Sequence, residues 1–187
     1  AGAVVQWLRD QLEIINTAPE IEALAETVEN NGGVTFIPGL AGLGAPYWDP
    51  HATGSIMGIT RGTQKGHIAR AALEAIAMRT REIVIEMQKD ANTTFKTLKV
   101  DGGASTNDLL MQIQSDLLQV EVIRPQTTET TALGVAFFAG LATGFWPSIE
   151  SLSSIWKVNR KFTPQKGSQN ENVIKTWQQK ISQVTNA

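Results

Sequence analysis

The stretch LKVDGGASTNDLLMQIQSDLLQVEVIRP, residues 98–125, carries more structural information than any other part of this chain. Leu98 to Val100 are typical of the end of a strand, and the residues Asp-Gly-Gly that follow interrupt it. An amphipathic helical pattern runs from about residue 106 to 118, and residues 120–123 predict the next strand. A strand, a glycine turn at its carboxyl end and then a helix is an arrangement with which α/β proteins bring backbone close to a nucleotide.

The glycine turn also suggests how such a ligand would be approached. Gly102 and Gly103 can both take positive φ and have no Cβ, so a flat base or a phosphate could lie against the main chain. Asn107 is expected one turn into the helix, with its amide facing the same spot. Asp101 could approach phosphate or magnesium, but we favour a role in ordering the turn by local hydrogen bonds. Without further context, an Asp-Gly-Gly sequence indicates only a turn.

Composition excludes several classes of function. The 187 residues suffice for one domain with a core, and net charge is −2 without a basic run, so nucleic-acid binding has little support. Cysteine is absent, and His51 and His67 are far apart in sequence, which argues against a zinc site or a histidine-based triad. No apolar run reaches the ~18 residues of a membrane span. Charged residues make up 18%, below the usual share of about 25%, which predicts a surface partly covered by the chain or a partner. Cytoplasmic localisation is the default expectation.

Periodicity and turn residues predict an α/β fold in which helices cover a sheet. The predicted helices are 1–16, a short one beginning at Pro19, 65–89, 106–118, 131–143 and 171–184, and the predicted strands are 34–37, 55–59, 96–100 and 120–123. The helix 131–143 is rich in alanine and glycine and is expected to pack closely on a sheet or another helix. Residues 145–170 are expected to alternate short structured pieces with polar loops.

Four ordered segments carry a family resemblance: AGAVVQWLRD at 1–10, GLGAPYWDP at 42–50, GSIMGITRGTQKGHIARAALE at 54–74 and VDGGASTNDLLMQ at 100–112. Together they resemble the C-terminal, ATP-binding lobe of the sugar and polyol kinases named after a Phe-Gly-Gly-Tyr (FGGY) signature. The resemblance covers residues 1–164, and residues 165–187, a polar loop and a terminal helix, are not recognisable. The loop 42–50 is similar to that of the glycerol-phosphorylating branch.

The resemblance implies a ribonuclease H-like, actin-like ATPase lobe, with a mixed sheet flanked by helices. It implies transfer of the ATP γ-phosphoryl group to glycerol, giving glycerol 3-phosphate. The family's ATP contacts correspond to Gly2, Gln6, Gly103 and Asn107 in this sequence, with support from the turn at Asp101 and Gly102. No catalytic residue and no metal ligand of the family corresponds to a position in this chain.

The resemblance also implies partners outside this chain. The base, the polyol-binding side chains and the main magnesium-binding acid belong to an N-terminal lobe, so this chain is expected to be inactive without that lobe. A homo-oligomer is also expected. Two alternatives stay open: a kinase of another polyol or a ketose, and a non-catalytic actin-like nucleotide-binding module. Three antiparallel strands precede the first helix in the family, so the chain is expected to start within a domain. The strand ending at Val100 should then have an unpaired edge, or pair with residues outside 1–187.

A few single residues allow predictions of their own. Tyr47 and Trp48 are expected to anchor their Gly- and Pro-rich loop by packing, with contact to the other lobe as the alternative. Glu74 lies within an apolar helix, and a buried acid needs partners, so a structural hydrogen bond is favoured. His67 is expected at the surface or in packing. Trp177 fits a core position, with a contact between chains as the alternative.

Overall fold

The computed structural model describes residues 2–165 and 169–185. The helices are α1 (Gly2–Asp10), α2 (Glu20–Ala25), α3 (Lys65–Asp90), α4 (Asp108–Leu118), α5 (Thr130–Ala142), α6 (Ile149–Leu152) and α7 (Gln169–Ile181). The strands are β1 (Thr35–Ile37), β2 (Ser55–Met57), β3 (Thr97–Lys99), β4 (Glu121–Pro125) and β5 (Val158–Phe162). The element order confirms the predicted α/β class.

The larger sheet has three strands in the order β3-β4-β5 and is mixed, as expected. β3 and β4 are parallel, with Leu98 opposite Val122, and α4 provides the crossover that a parallel pair requires. β5 runs antiparallel to β4 with Ile123 opposite Lys161. The sequence did not predict β5, because only Phe162 of this edge strand is buried and three polar residues separate it from Val158.

β3 pairs only with β4 in the described part of the chain, so its other edge carries no ladder partner there. This agrees with the expectation of an unpaired edge at the strand that leads to Val100. β1 and β2 form a separate antiparallel pair in which Phe36 lies opposite Ile56. Of the four predicted strands, those near 96–100 and 120–123 lie in the larger sheet and the other two form the separate pair.

The core is centred on α3, which packs against α2, α4 and β1. Buried alanines of α3 let these neighbours approach, while Leu73 and Met78 are each 1% exposed and fill the space between them. Burying a side chain of this size contributes about 1.5–3 kcal/mol. The backbone N–H of Gln64 donates to Nδ1 of His67 at 3.0 Å, so His67 fixes the start of α3.

Two predictions about helices were wrong. The first helix ends at Asp10 rather than residue 16, and Glu13 has a left-handed φ of 50°, which is incompatible with helix continuation. α5 forms where predicted but does not pack closely, since Gly140 is its only buried residue. Its side chains Val135 and Phe138 are 66% and 78% exposed.

The Gly- and Pro-rich loop is folded onto α3 by Tyr47, as predicted. The Tyr47 Oη donates to the Glu82 carboxylate at 2.6 Å, and Trp177 Nε1 donates to the same carboxylate at 2.6 Å. Burial, followed by the bond to Glu82, raises the pKa of the Tyr47 hydroxyl above its ordinary value. Trp177 is 3% exposed and belongs to the core, whereas Trp48 is 77% exposed, so the prediction that Trp48 anchors by packing was wrong.

No helix in the described residues is both long and apolar enough to cross a membrane.

Candidate functional site: a cavity between α1, α2, α3 and the glycine turn

The glycine turn connects β3 to α4 through a single turn of 3₁₀ helix, Gly103–Thr106. Gly102 has φ 74°, a left-handed conformation that favours glycine. Its N–H donates to the carbonyl of Thr128 at 2.8 Å, and its own carbonyl accepts from Ser105 Oγ at 2.7 Å. These bonds hold the turn in one position at the carboxyl end of β3.

Gly103 requires a different explanation, because it does not adopt the positive φ that glycine can take. A Cβ placed on Gly103 would meet no protein atom within 4 Å. Neither the backbone conformation nor packing within the described chain therefore requires glycine at this position. The surface beside Gly103 is open to a ligand.

Asn107 caps α4 instead of lying one turn inside it. Its φ of −78° and ψ of 110° are non-helical, and its side-chain Oδ1 accepts from the Leu110 N–H at 2.7 Å. A capping asparagine uses its carbonyl oxygen, which leaves the amide Nδ2 as the donor that can face a ligand. The prediction placed Asn107 correctly beside the turn but gave it the wrong position in the helix.

A cavity of about 460 Å³ lies next to this turn. All four residues predicted to contact ATP line it: Gly2, Gln6, Gly103 and Asn107. Gly2 and Gln6 lie on α1, whereas Gly103 and Asn107 lie in the turn before α4. The fold thus brings together two segments that are about a hundred positions apart in sequence.

The lining of the cavity is mainly apolar but includes charged and other polar side chains. Its larger apolar side chains are Val5, Ile21, Leu73, Ile76 and Leu110, and its charged ones are Arg9 and Glu22. Ligand sites are typically about 300–1,000 Å³ and combine such an apolar lining with a few placed polar groups. The arrangement suits a flat, mostly apolar ring with a polar attachment. Arg9 is bonded to its neighbour Asp10, with Nε 2.6 Å from Oδ1.

Sequence reasoning missed Glu22. Its Oε1 accepts from the Leu109 N–H at 2.8 Å, which joins α2 to the first turn of α4. The two residues are 87 positions apart, and nothing in the local pattern around residue 22 indicates this pairing.

The remaining predicted residues serve structural contacts. Asp101 does not order its own turn as favoured; its carboxylate accepts from Thr130 Oγ1 at the start of α5. Glu74 accepts from Asn31 Nδ2 at 2.6 Å and from Arg70 Nε at 3.3 Å, which confirms the predicted structural bonding. Within residues 2–165 and 169–185, no group of three or more acids or histidines is arranged to hold a metal ion.

Comparison with known proteins identifies the family of this chain. Residues 1–143 match the family described as "FGGY family of carbohydrate kinases, C-terminal domain". Glycerol kinase of Deinococcus radiodurans is 53% identical over 184 residues, covering 98% of this chain and 37% of the relative. Glycerol kinase of Herminiimonas arsenicoxydans is 58% identical over 164 residues, covering 88% of this chain and 33% of the relative. This chain therefore spans only about a third of the length of these relatives.

Solved structures show the same fold. The structure of Plasmodium falciparum glycerol kinase with ADP superposes with a TM-score of 0.87 at 32% identity, over 98% of this chain and 37% of that one. A gluconate kinase from Lactobacillus acidophilus, at 22% identity and a TM-score of 0.83, supports the fold alone. These neighbours confirm the actin-like, ribonuclease H-like lobe. By its sequence match and its fold, the chain belongs to the FGGY family of carbohydrate kinases and corresponds to their C-terminal domain.

Proposed function

We propose that this chain is the ATP-binding lobe of a kinase that transfers the γ-phosphoryl group of ATP to glycerol, giving glycerol 3-phosphate. The observation that carries the proposal is the convergence of Gly2, Gln6, Gly103 and Asn107 on one cavity with an apolar lining. The relatives named glycerol kinase, at 53% and 58% identity, support glycerol as the acceptor. Residues 1–164 would form the lobe, with 165–187 as its polar loop and terminal helix.

In this proposal the chain binds and orients ATP, and it contributes no catalytic residue. The adenine ring would lie on the apolar lining, with Gly103 allowing close approach and Asn107 Nδ2 donating to the nucleoside. Phosphoryl transfer depends mainly on positioning and on stabilisation of charge. An N-terminal lobe of the same protein would supply the base, the glycerol contacts and most of the Mg²⁺ ligands. Closure of the two lobes would align the reacting atoms and expel water.

The wider setting is part of the same proposal. An enzyme that consumes ATP is expected in the cytoplasm, and the absence of cysteine from the 187 residues does not conflict with a reducing compartment. We infer a homo-oligomer from the family resemblance alone. A kinase of another polyol or a ketose is the runner-up, since the acceptor site would lie in the other lobe. A non-catalytic nucleotide-binding module is the alternative of a different class.

The proposal is tested in the full-length protein by turnover with glycerol and with other polyols, combined with two variants of Asn107. Asn107→Ala removes both the cap and the ligand donor, whereas Asn107→Ser keeps a capping oxygen and removes only the amide donor. Both variants should raise the KM for ATP by a few-fold to roughly tenfold, as loss of one hydrogen bond predicts. The KM for glycerol should change less.

An unchanged KM for ATP in Asn107→Ser would remove Asn107 from the nucleotide site. Turnover with another polyol but not with glycerol would favour the runner-up, and no turnover together with retained ATP binding would favour the non-catalytic module. Residues 1–187 alone should produce no glycerol 3-phosphate above a buffer control.

A further inference from the structure

Glu22 ties the two walls of the cavity together at the first turn of α4. Its Oε1 accepts from the Leu109 N–H at 2.8 Å, and Asn107 Oδ1 accepts from the Leu110 N–H at 2.7 Å. These N–H groups are among those that a helix start leaves unpaired, and here oxygens of the protein satisfy both. α4 is therefore capped from two directions, by its own preceding residue and by a carboxylate from α2.

This double capping determines what can approach α4. A helix start usually attracts a phosphate through unpaired N–H groups and the positive end of the helix dipole. At α4 those two N–H groups are already bonded, and the Glu22 carboxylate supplies the negative charge. A phosphate group placed there would meet a carboxylate instead of a donor. The phosphates of a bound nucleotide are therefore expected to point away from α4, so its nucleoside end lies near Glu22.

The second oxygen of Glu22 is the remaining polar group on this side. No protein donor in the described part of the chain bonds to Glu22 Oε2, while Oε1 is held by Leu109. Glu22 is partly buried and lines the cavity together with Gly103 and Asn107. A carboxylate oxygen fixed in this way accepts hydrogen bonds and cannot donate them.

Resting on the proposed ATP site, we propose that Glu22 is a specificity-determining residue whose Oε2 accepts a hydrogen bond from a ribose hydroxyl of the nucleotide. Ribose offers two hydroxyl donors, whereas the ring nitrogens of adenine are acceptors that a carboxylate repels. The apolar side chains of the cavity suit the base, which leaves the polar lining residues, Glu22 among them, for the ribose. The site would then select ribonucleotides over their deoxy analogues.

The experiment uses the full-length protein with ATP, 2′-deoxyATP and 3′-deoxyATP as phosphoryl donors. The variant Glu22→Gln retains a side-chain oxygen for the Leu109 N–H but loses the charge and the second acceptor. The wild type should prefer ATP over at least one deoxy analogue by roughly tenfold in kcat/KM, the value of one hydrogen bond to a charged group. In Glu22→Gln that preference should fall to about twofold or less, mainly through the KM for ATP.

Glu26→Gln is the matched control, because Glu26 lies one turn further along, is exposed and does not line the cavity. It removes the same charge and should leave the preference unchanged.

A wild type that uses the deoxy analogues as well as ATP would overturn the assignment even if Glu22→Gln fails to fold. An unchanged preference in Glu22→Gln would also overturn it. So would a Glu22→Gln variant that changes only the preference for ATP over inosine triphosphate, which lacks the adenine amino group. Absence of any ATP-dependent turnover by the wild type would overturn the proposed function and the assignment together.

Discussion

α3 and α5 are both rich in alanine, yet α3 buries ten residues and α5 buries one. α3 lies between α2, α4 and β1, so its alanines become sites of close approach. α5 has no charged residue, and its Val135 and Phe138 are largely exposed. A small-residue composition therefore permits close packing but does not bring a neighbour to the helix.

The aromatic contacts of α5 lie at its C-terminal end. Trp146 packs edge-on against Phe137, with ring centroids 5.3 Å apart, and against Phe145 at 4.9 Å. Gly140 lies directly beneath the Trp146 ring. One end of α5 is thus fixed by a local aromatic cluster, while the rest of its apolar surface has no comparable neighbour in the described residues.

The largest expected difference between the two helices is in the effect of truncating one side chain. Met78→Ala in α3 should lower the free energy of unfolding by about 2–5 kcal/mol, because it leaves a cavity in a packed core. Phe138→Ala in α5 should change it by less than about 0.5 kcal/mol, since an exposed side chain loses few contacts. Urea unfolding followed by circular dichroism measures both.

Equal losses of unfolding free energy in Met78→Ala and Phe138→Ala would contradict the difference between α3 and α5. They would mean that Phe138 is covered in solution, for instance in a protein that contains more than these 187 residues. Performing the measurement on both lengths of protein would show where the cover comes from.

A smaller effect is expected from two glycines within α5. Gly140→Ala would place a Cβ 2.1 Å from Cε3 of Trp146, so the ring must move and stability should fall by about 1–3 kcal/mol. Gly134→Ala meets no atom within 4 Å and should stabilise the helix by roughly 0.5–1 kcal/mol. Amide hydrogen exchange in α5 gives the sign of the stability change for each variant. Effects of the same sign would show that the Trp146 contact does not hold the helix end.

The smallest expected effect concerns pH and the buried side of α3. Burial raises the pKa of Glu74, against the opposing effects of Asn31 and Arg70. Because the folded state then holds the proton more tightly than the unfolded state, this contribution is complete below the unfolded value of 4.5 and is lost as pH rises through the folded pKa. The stability of wild type minus that of Glu74→Gln should therefore fall as the pH rises above the unfolded value of 4.5. A difference that is constant or rises over this range would contradict the assigned direction.

The nucleotide turn was predictable in part. Gly102 adopts the left-handed conformation that its sequence context suggested, and Asn107 lies beside it. Asn107 was nevertheless placed inside the helix, because the apolar spacing of α4 does not reveal that a 3₁₀ turn precedes it. Asp101 was assigned to its own turn, although its partner Thr130 belongs to another helix. Contacts within a few residues were easier to predict than contacts across the fold.

Local chemistry in the sequence was sufficient for the strand, glycine turn and helix of residues 98–125 and for the long helix α3, since these depend on backbone conformation and periodicity. Packing alone made Trp177 a core residue and left Trp48 exposed, because each outcome depends on what lies opposite the side chain. The same holds for Glu22, whose bond to Leu109 exists only after α2 and α4 dock on α3. Glu22 and Leu109 are 87 residues apart, so no local pattern indicates their bond, and only the tertiary structure places Glu22 in the cavity lining.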